Sequence, residues 1–329
     1  LYIIKFDSLN LNAGEKKLLI DGIHLNPRGD RETFRSKLSF VKERYDGEWK
    51  KFVLKDIDWW GMIASESIKA KEMELADGKL AVYTDRTLPP NSKSKIGNYP
   101  HELIMKLPLP VYVPMFKVKN IDLVYEELNP KTGKHGKLFF NNINGIVSNI
   151  TNDKTIIARN NFMQIDASCT FMTSAHLSAT FNFNFAKAKQ GIFSVDADLT
   201  NIDFHELNTA TEPLGLFSIE KGNLKELKAH VYGSDYKGTG NITFLYDGLQ
   251  INALKKEDGD TALKKMGLIS FVANNFMLKK SNPDKDKTRI EDAVYSRDVH
   301  KSFFNLIWKT MLIGIMKTIG YDKGVKKVK

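Results

Sequence analysis

The sequence predicts a mainly β protein of many antiparallel strands followed by an amphipathic helix. Three observations predict it. Apolar and polar residues alternate with a period of two over successive runs. Turn residues separate those runs at regular intervals. The one stretch with a helical period lies close to the C-terminus.

The elements follow in chain order. Strand candidates lie near residues 2–12, 16–26, 33–44, 50–59, 65–75, 79–84, 101–106, 115–127, 136–147 and 154–159. Asn26-Pro27-Arg28-Gly29, Asp46-Gly47, Asp77-Gly78, Asn129 to Gly133 and Asn152-Asp153 supply the turns between them. The alternation is cleanest in the second half. Met163, Ile165, Ala167, Cys169 and Phe171 alternate with Gln164, Asp166, Ser168 and Thr170. Leu177, Ala179, Phe181, Phe183 and Phe185 follow, then Phe193, Val195, Ala197 and Leu199. Leu227, Ala229 and Val231 precede Ile242, Phe244 and Tyr246. Successive side chains of a strand point to opposite faces, so each run has an apolar and a polar face.

Three segments interrupt this rhythm. Leu107 to Pro114 is Pro-rich and unsuited to a central strand. Asn201 to Leu216 suits a short helix or crossover, and 279–301 reads as a polar linker. The division is therefore a β domain over 1–278 with a sub-boundary near 107–114, the linker, a helix over 302–320 and a basic tail over 321–329. Two phrases share an Asn-Ile-Asp centre: Val118-Lys119-Asn120-Ile121-Asp122-Leu123 and Leu199-Thr200-Asn201-Ile202-Asp203-Phe204. They point to related strand–turn units or to chance.

Ser302 to Ile319 sets Ser302, Asn305, Lys309 and Lys317 on a polar stripe against Phe304, Trp308, Met311, Leu312, Ile315 and Ile319. Its length of roughly 27 Å nearly matches a bilayer core of about 30 Å. A central Lys309 opposes spanning by about 2.5–3.5 kcal/mol. Two placements remain: flat on a membrane surface, or capping the β core. On the first, Phe304, Trp308, Met311, Ile315, Lys326 and Lys327 are the membrane-contact candidates, and Lys323 and Lys329 add charge.

Composition excludes several classes. At 329 residues and 42% hydrophobic, the chain can bury a sizeable core. A lone cysteine, Cys169, excludes an internal disulfide and a Cys-rich zinc site. The net charge of +10 suits an anionic partner, although most lysines are scattered along strands as on a solvated face. No apolar run reaches the 18 residues of a spanning helix. The chain opens on Leu1-Tyr2-Ile3-Ile4, already inside a strand pattern, which reads as a fragment or processed form.

Catalytic patterns are missing. No two of the seven histidines have a metal-ligand spacing, and there is neither a nucleophile elbow nor a P-loop. Glu126 and Glu127 are adjacent and face opposite ways along a strand. Trp59-Trp60 suits a sugar platform only if one ring is exposed in a cleft. No RNP-type motif or basic recognition helix indicates nucleic acid. The reading is a non-enzyme without cofactor, metal or nucleic-acid partner.

The second half carries a resemblance. Phe193 to Leu199 is followed by Phe204-His205-Glu206-Leu207-Asn208, Thr211-Glu212-Pro213-Leu214 and Ile219-Glu220-Lys221-Gly222-Asn223-Leu224. Val231-Tyr232-Gly233, Gly238-Thr239-Gly240 and Phe244 to Leu249 come next, then Lys279 to Pro283 and Ser302 to Thr310. This pattern resembles the C-terminal region of AsmA-like envelope proteins of the Bacteroidetes type, relatives of TamB and YhdP, over about 115–320. The resemblance implies a long, antiparallel, strongly curved sheet forming an open apolar groove, with the amphipathic helix at its end. It implies a periplasmic location in a didermic bacterium and an inner-membrane anchor N-terminal to this chain. It implies no catalytic residues. The expected partners are phospholipid, a membrane surface and outer-membrane assembly proteins; the expected role is inter-membrane lipid transport or outer-membrane biogenesis.

Joined to the alternation, this makes Ile165, Ala167, Phe181, Phe183, Phe193, Val195, Leu227, Val231, Ile242 and Phe244 the lipid-groove candidates. The alternatives are a non-catalytic scaffold of an outer-membrane assembly complex, its apolar face filled by its own side chains, and a carbohydrate-binding sandwich.

Overall fold

The structure is a computed structural model that describes residues 1–256, 263–265 and 278–328. Its strands are β1 (Tyr2–Lys5), β2 (Ser8–Asn12), β3 (Lys17–Pro27), β4 (Glu43–Lys55), β5 (Ile68–Lys69), β6 (Glu72–Asp85), β7 (Val111–Leu128), β8 (His135–Thr151), β9 (Phe162–Phe171), β10 (Ala175–Asn184), β11 (Phe193–Asp203), β12 (Phe217–Gly233), β13 (Lys237–Lys256), β14 (Leu263–Lys265) and β15 (Ile290–Ser296). The helices are α1 (Arg31–Ser36), α2 (Trp59–Ser65), α3 (Pro100–Met105), α4 (Lys154–Arg159), the single turn α5 (Asn208–Ala210), α6 (Phe303–Thr318) and α7 (Asp322–Val328). No helix among the described residues is long and apolar enough to cross a membrane.

All 15 strands belong to one curved, non-closed sheet, in the order β1-β3-β4-β6-β7-β8-β9-β10-β11-β12-β13-β14, with β2, β5 and β15 beside β3, β7 and β13. Pairing is antiparallel except where β7 lies parallel to β6 and β5, so the sheet is mixed. That exception requires a long crossover, residues 86–110, to carry the chain back along the sheet.

Local chemistry explains where strand readings became helices. Residues 33–44, 101–106 and 154–159 contain apolar or β-branched runs, yet each overlaps a helix begun by a start signal. Asp30 accepts from Thr33 N, Asp153 accepts from Thr155 N, and Tyr99 precedes Pro100 at the first helical position. Conversely, Pro114 lies inside β7, where the neighbouring strand changes from β5 to β6 and the pairing with β8 steps from Val113–Ile150 to Met115–Ser148. Asp46-Gly47 and Asp77-Gly78 lie within β4 and β6 rather than between strands. Part of the segment read as a polar linker is β15, which pairs with β13 over Lys237 to Thr243.

Direct cross-strand neighbours join the alternating residues into rows. One row runs Leu11, Leu18, Leu54, Met73, Phe116, Val147, Ile165, Phe181, Val195 and Val231. The next runs Leu9, Ile20, Phe52, Leu75, Val118, Gly145, Ala167, Ala179, Ala197, Ala229 and Ile242. Cross-strand partners share a face, so one apolar surface extends from β2 to β13.

The rows shift phase at a line of left-handed residues. Gly22, Asp77, Asn120 and Asn142 have φ of 60°, 56°, 51° and 51°; Asn201, Gly222 and Gly248 have 57°, 124° and 66°. Such a residue inserts one position, so Val118 and Ile121, or Leu199 and Ile202, face the same side although three apart. Both Asn-Ile-Asp phrases therefore encode the same kink. Ile121 and Ile202 are buried, and Asp122 accepts from Asn142 N at 2.8 Å.

Candidate functional site

The apolar face is covered in two places and open between them. In the C-terminal half, α6 lies on β12, β13 and β15. Phe303 reaches Phe193, Phe183 and Phe181 at ring distances of 4.7, 5.5 and 6.1 Å. Gly314 sits so close to Ile242 that a Cβ there would overlap it, and Thr310 packs against Gly238 and Gly240. Of the expected groove residues, Phe183, Phe193, Val195, Leu227, Val231, Ile242 and Phe244 are all buried in this single core with Leu306 and Ile313 of α6. Ile165, Ala167 and Phe181 are half-buried towards the open part. Towards the other end of the strands, 204–216 covers Phe244 and Tyr246 through Phe204, and Leu214 meets Gly136.

A smaller core closes the early strands, where Trp59 and Met62 of α2 pack on Leu54 and Val113. Between α2 and α6, Ile20, Leu75, Phe116 and Val118 remain half-buried outside both cores, with Phe52 at the edge of the small core and Val147 at the edge of the main one. This strip was missed at the sequence level because its strands carry more interruptions than β9–β13. From β2 to β8 it measures about 24 Å across the strands.

The 86–110 crossover bridges the flanks of the curl. Lys95 pairs with Glu43 at the start of β4 at 3.5 Å, and its backbone N–H donates to Val299 at 2.7 Å. Arg297 donates to the Lys95 carbonyl at 3.2 Å, lies 4.5 Å from the centre of the Tyr99 ring, and pairs with Asp235 at 3.2 Å in the interior. The Tyr99 hydroxyl donates to the Ser234 carbonyl at 3.0 Å. His101, Ile104 and Met105 then join α3 to the main core. Burial pushes the carboxyls of Asp235 and Glu102 up, and the His101 imidazole down to about 4.

The opposite face holds a polar trough of about 1050 Å³ between β7 and β13. Four ion pairs line it: Lys117 with Glu72 at 2.6 Å, Lys119 with Glu74 at 2.9 Å, Lys228 with Asp198 at 3.8 Å, and His230 with Asp196; Asp166 accepts from Gln164 and Thr180. Glu72 is held down at about 2 by Lys117 and then Lys55. These are compensated surface pairs rather than an acid and base with split titrations. Glu126 accepts both Arg31 donors at 2.7 and 2.9 Å and also meets His135, which fixes α1 on the sheet. Among the described residues, no group of His, Cys, Asp or Glu could hold a metal ion. Burial raises the Cys169 thiol to about 11, which suits packing rather than nucleophilic work.

On α6, Phe304 and Trp308 are 68% and 50% exposed, whereas Met311 and Ile315 pack partly on the core. Burial lowers the Lys309 ammonium. Lys326 is exposed; the side chains of Lys323 and Lys327, and Lys329 as a whole, lie outside the described residues. Trp60 stands exposed on α2, Trp59 is half-buried in the small core, and neither lines the polar trough. No family model matches this chain, and no curated protein matches it.

Proposed function

We propose that this protein binds lipid acyl chains along the open apolar strip of β2–β8, as an AsmA-like envelope protein serving inter-membrane lipid transport or outer-membrane biogenesis in the periplasm. The observation that carries this reading is the continuity of the two apolar rows, which α6 fills in the C-terminal half and α2 covers only around Leu54, leaving Ile20, Leu75 and Val118 half-buried outside both cores. An acyl chain gains about 0.8 kcal/mol per buried CH₂ without directional contacts. A strip of about 24 Å accommodates more than the roughly 15 Å that chains of one leaflet span. The exposed Phe304 and Trp308 support contact with a membrane surface that supplies the lipid.

The scaffold reading draws on a different observation, the burial of Phe183, Phe193 and Val231 beneath α6. The two readings separate on the open strip. Leu75→Asp and Val118→Asp place a charge where the side chains are only half-buried and belong to neither core. Native mass spectrometry should show phospholipid with the wild type and none with either variant, while the far-ultraviolet spectrum stays that of a β protein. Equal lipid on all three proteins, or none on the wild type, would leave the scaffold reading.

A further inference from the structure

Inside the crossover, His101 is an anomaly. It is fully buried, and neither Nδ1 nor Nε2 has a hydrogen-bond partner. Its ring lies among Phe183, Phe185 and Tyr99, at 5.3, 6.4 and 6.4 Å between centroids. An imidazole buried this way gives up hydration of its N–H and gets nothing back, a cost that an apolar residue would avoid. It can persist while neutral; a charged imidazolium there would be far more costly.

The surrounding charges offer no relief. On α3, the Glu102 carboxylate accepts from Tyr99 N at 2.7 Å, and the Lys106 ammonium donates to the Gly97 carbonyl. Asp235, in the turn between β12 and β13, is engaged by Arg297 from beyond β15. Lys187 and Lys189, on the turn after β10, are exposed. None of these hydrogen-bonds His101.

We propose that residues 86–110 form a strap across the curl and that protonation of His101 releases its α3 anchor, uncovering the apolar face at β8 and β10, where the open strip ends, to lipid. The proposal rests on the acyl-chain reading for what the strap admits, but the release stands on the geometry of α3. α3 is a six-residue helix with Leu103 and Lys106 exposed, so it can lift without unfolding the sheet beneath it. Proton linkage gives the direction. A histidine held near 4 in the closed state and returning towards 6.5 on release favours the open state as pH falls. Glu102 and Asp235, whose carboxyls burial raises, act the other way, because acid neutralises them in place. Acid opening, if observed, is therefore a signature of His101 rather than of its neighbours.

Hydrogen exchange measured by mass spectrometry on peptides spanning 97–108 tests this, at pH 7 and pH 4, with intrinsic exchange rates divided out. In the wild type, protection of the strap should fall by about 100-fold between the two, while peptides of β12 keep theirs. In His101→Phe and in His101→Gln, strap protection should stay level or rise. Binding of a fluorescent lysophosphatidylcholine, zwitterionic across this range, should accelerate at pH 4 in the wild type only. A wild-type strap indifferent to pH overturns the proposal, as does the same fall in both variants. Acid release of the strap with no lysophosphatidylcholine bound at either pH upholds the latch and removes the acyl-chain reading.

Discussion

Asn120 and Asn201 hold left-handed backbone in the middle of strands, where a branched residue would be strained. Their side chains and neighbours fix the kink: Asn120 Nδ2 donates to Asp77 at 2.7 Å, and its backbone N–H donates to the Asn144 side chain at 3.1 Å. Replacing Asn201 with Val should therefore destabilise the fold by about 1–2 kcal/mol, whereas Asn201→Gly should stay close to the wild type. Urea unfolding of the three proteins checks this; equal midpoints for Val and Gly would mean the strand relaxes its kink freely. The likeness of the two Asn-Ile-Asp phrases was legible in the sequence. Its meaning was not, because a period of two looks broken where a left-handed residue lets positions three apart share a face. His101 was equally opaque: it lies in a stretch read as a strand, and only the helix brings it beneath Phe183 and Phe185.

At the scale of elements, the contest between strand and helix was decided by caps rather than by apolar content. Asp30, Asp153 and Tyr99-Pro100 turned short apolar runs into helices, and attention to these start signals would have corrected all three. α6 was legible from its period, but its partner was not, since a membrane surface and a sheet select the same residues. The glycines settle the sheet-facing side. Gly314, Gly238 and Gly240 allow a close approach that a bilayer does not require. Gly314→Leu should push α6 away from Ile242 and cost about 1–3 kcal/mol, read as a lower thermal midpoint with increased binding of a hydrophobic dye. An unchanged midpoint would show that α6 is loosely seated. The same packing decides what Phe183→Asp and Val195→Asp would do. Each would bury a carboxylate under α6 and disrupt the fold, so neither reports on lipid.

For the whole molecule, the question is which surface meets the membrane. The sheet's apolar face is covered by α2 and α6 except at the half-buried strip between them, and the charges lining its polar trough are ion-paired or hydrogen-bonded. Of the exposed apolar side chains, which also include Trp60 and Ile63 on α2, Phe304 and Trp308 stand one helical turn apart on the outer side of α6. Two aromatic rings on a docked helix give modest affinity, and lysines beyond it add about 1 kcal/mol each near an anionic surface, screened over about 8–10 Å. Deleting α6 would not isolate this contact, because it would uncover Phe193, Val231 and Ile242 and lead to aggregation. Phe304→Asp with Trp308→Asp is the cleaner change. Both positions are exposed, so the thermal midpoint should hold. Flotation with anionic liposomes should fall several-fold at low salt, and what remains should vanish as salt is raised. If the double variant floats as the wild type does, α6 is only a plug for the β core, and lipid must reach the open strip from another side.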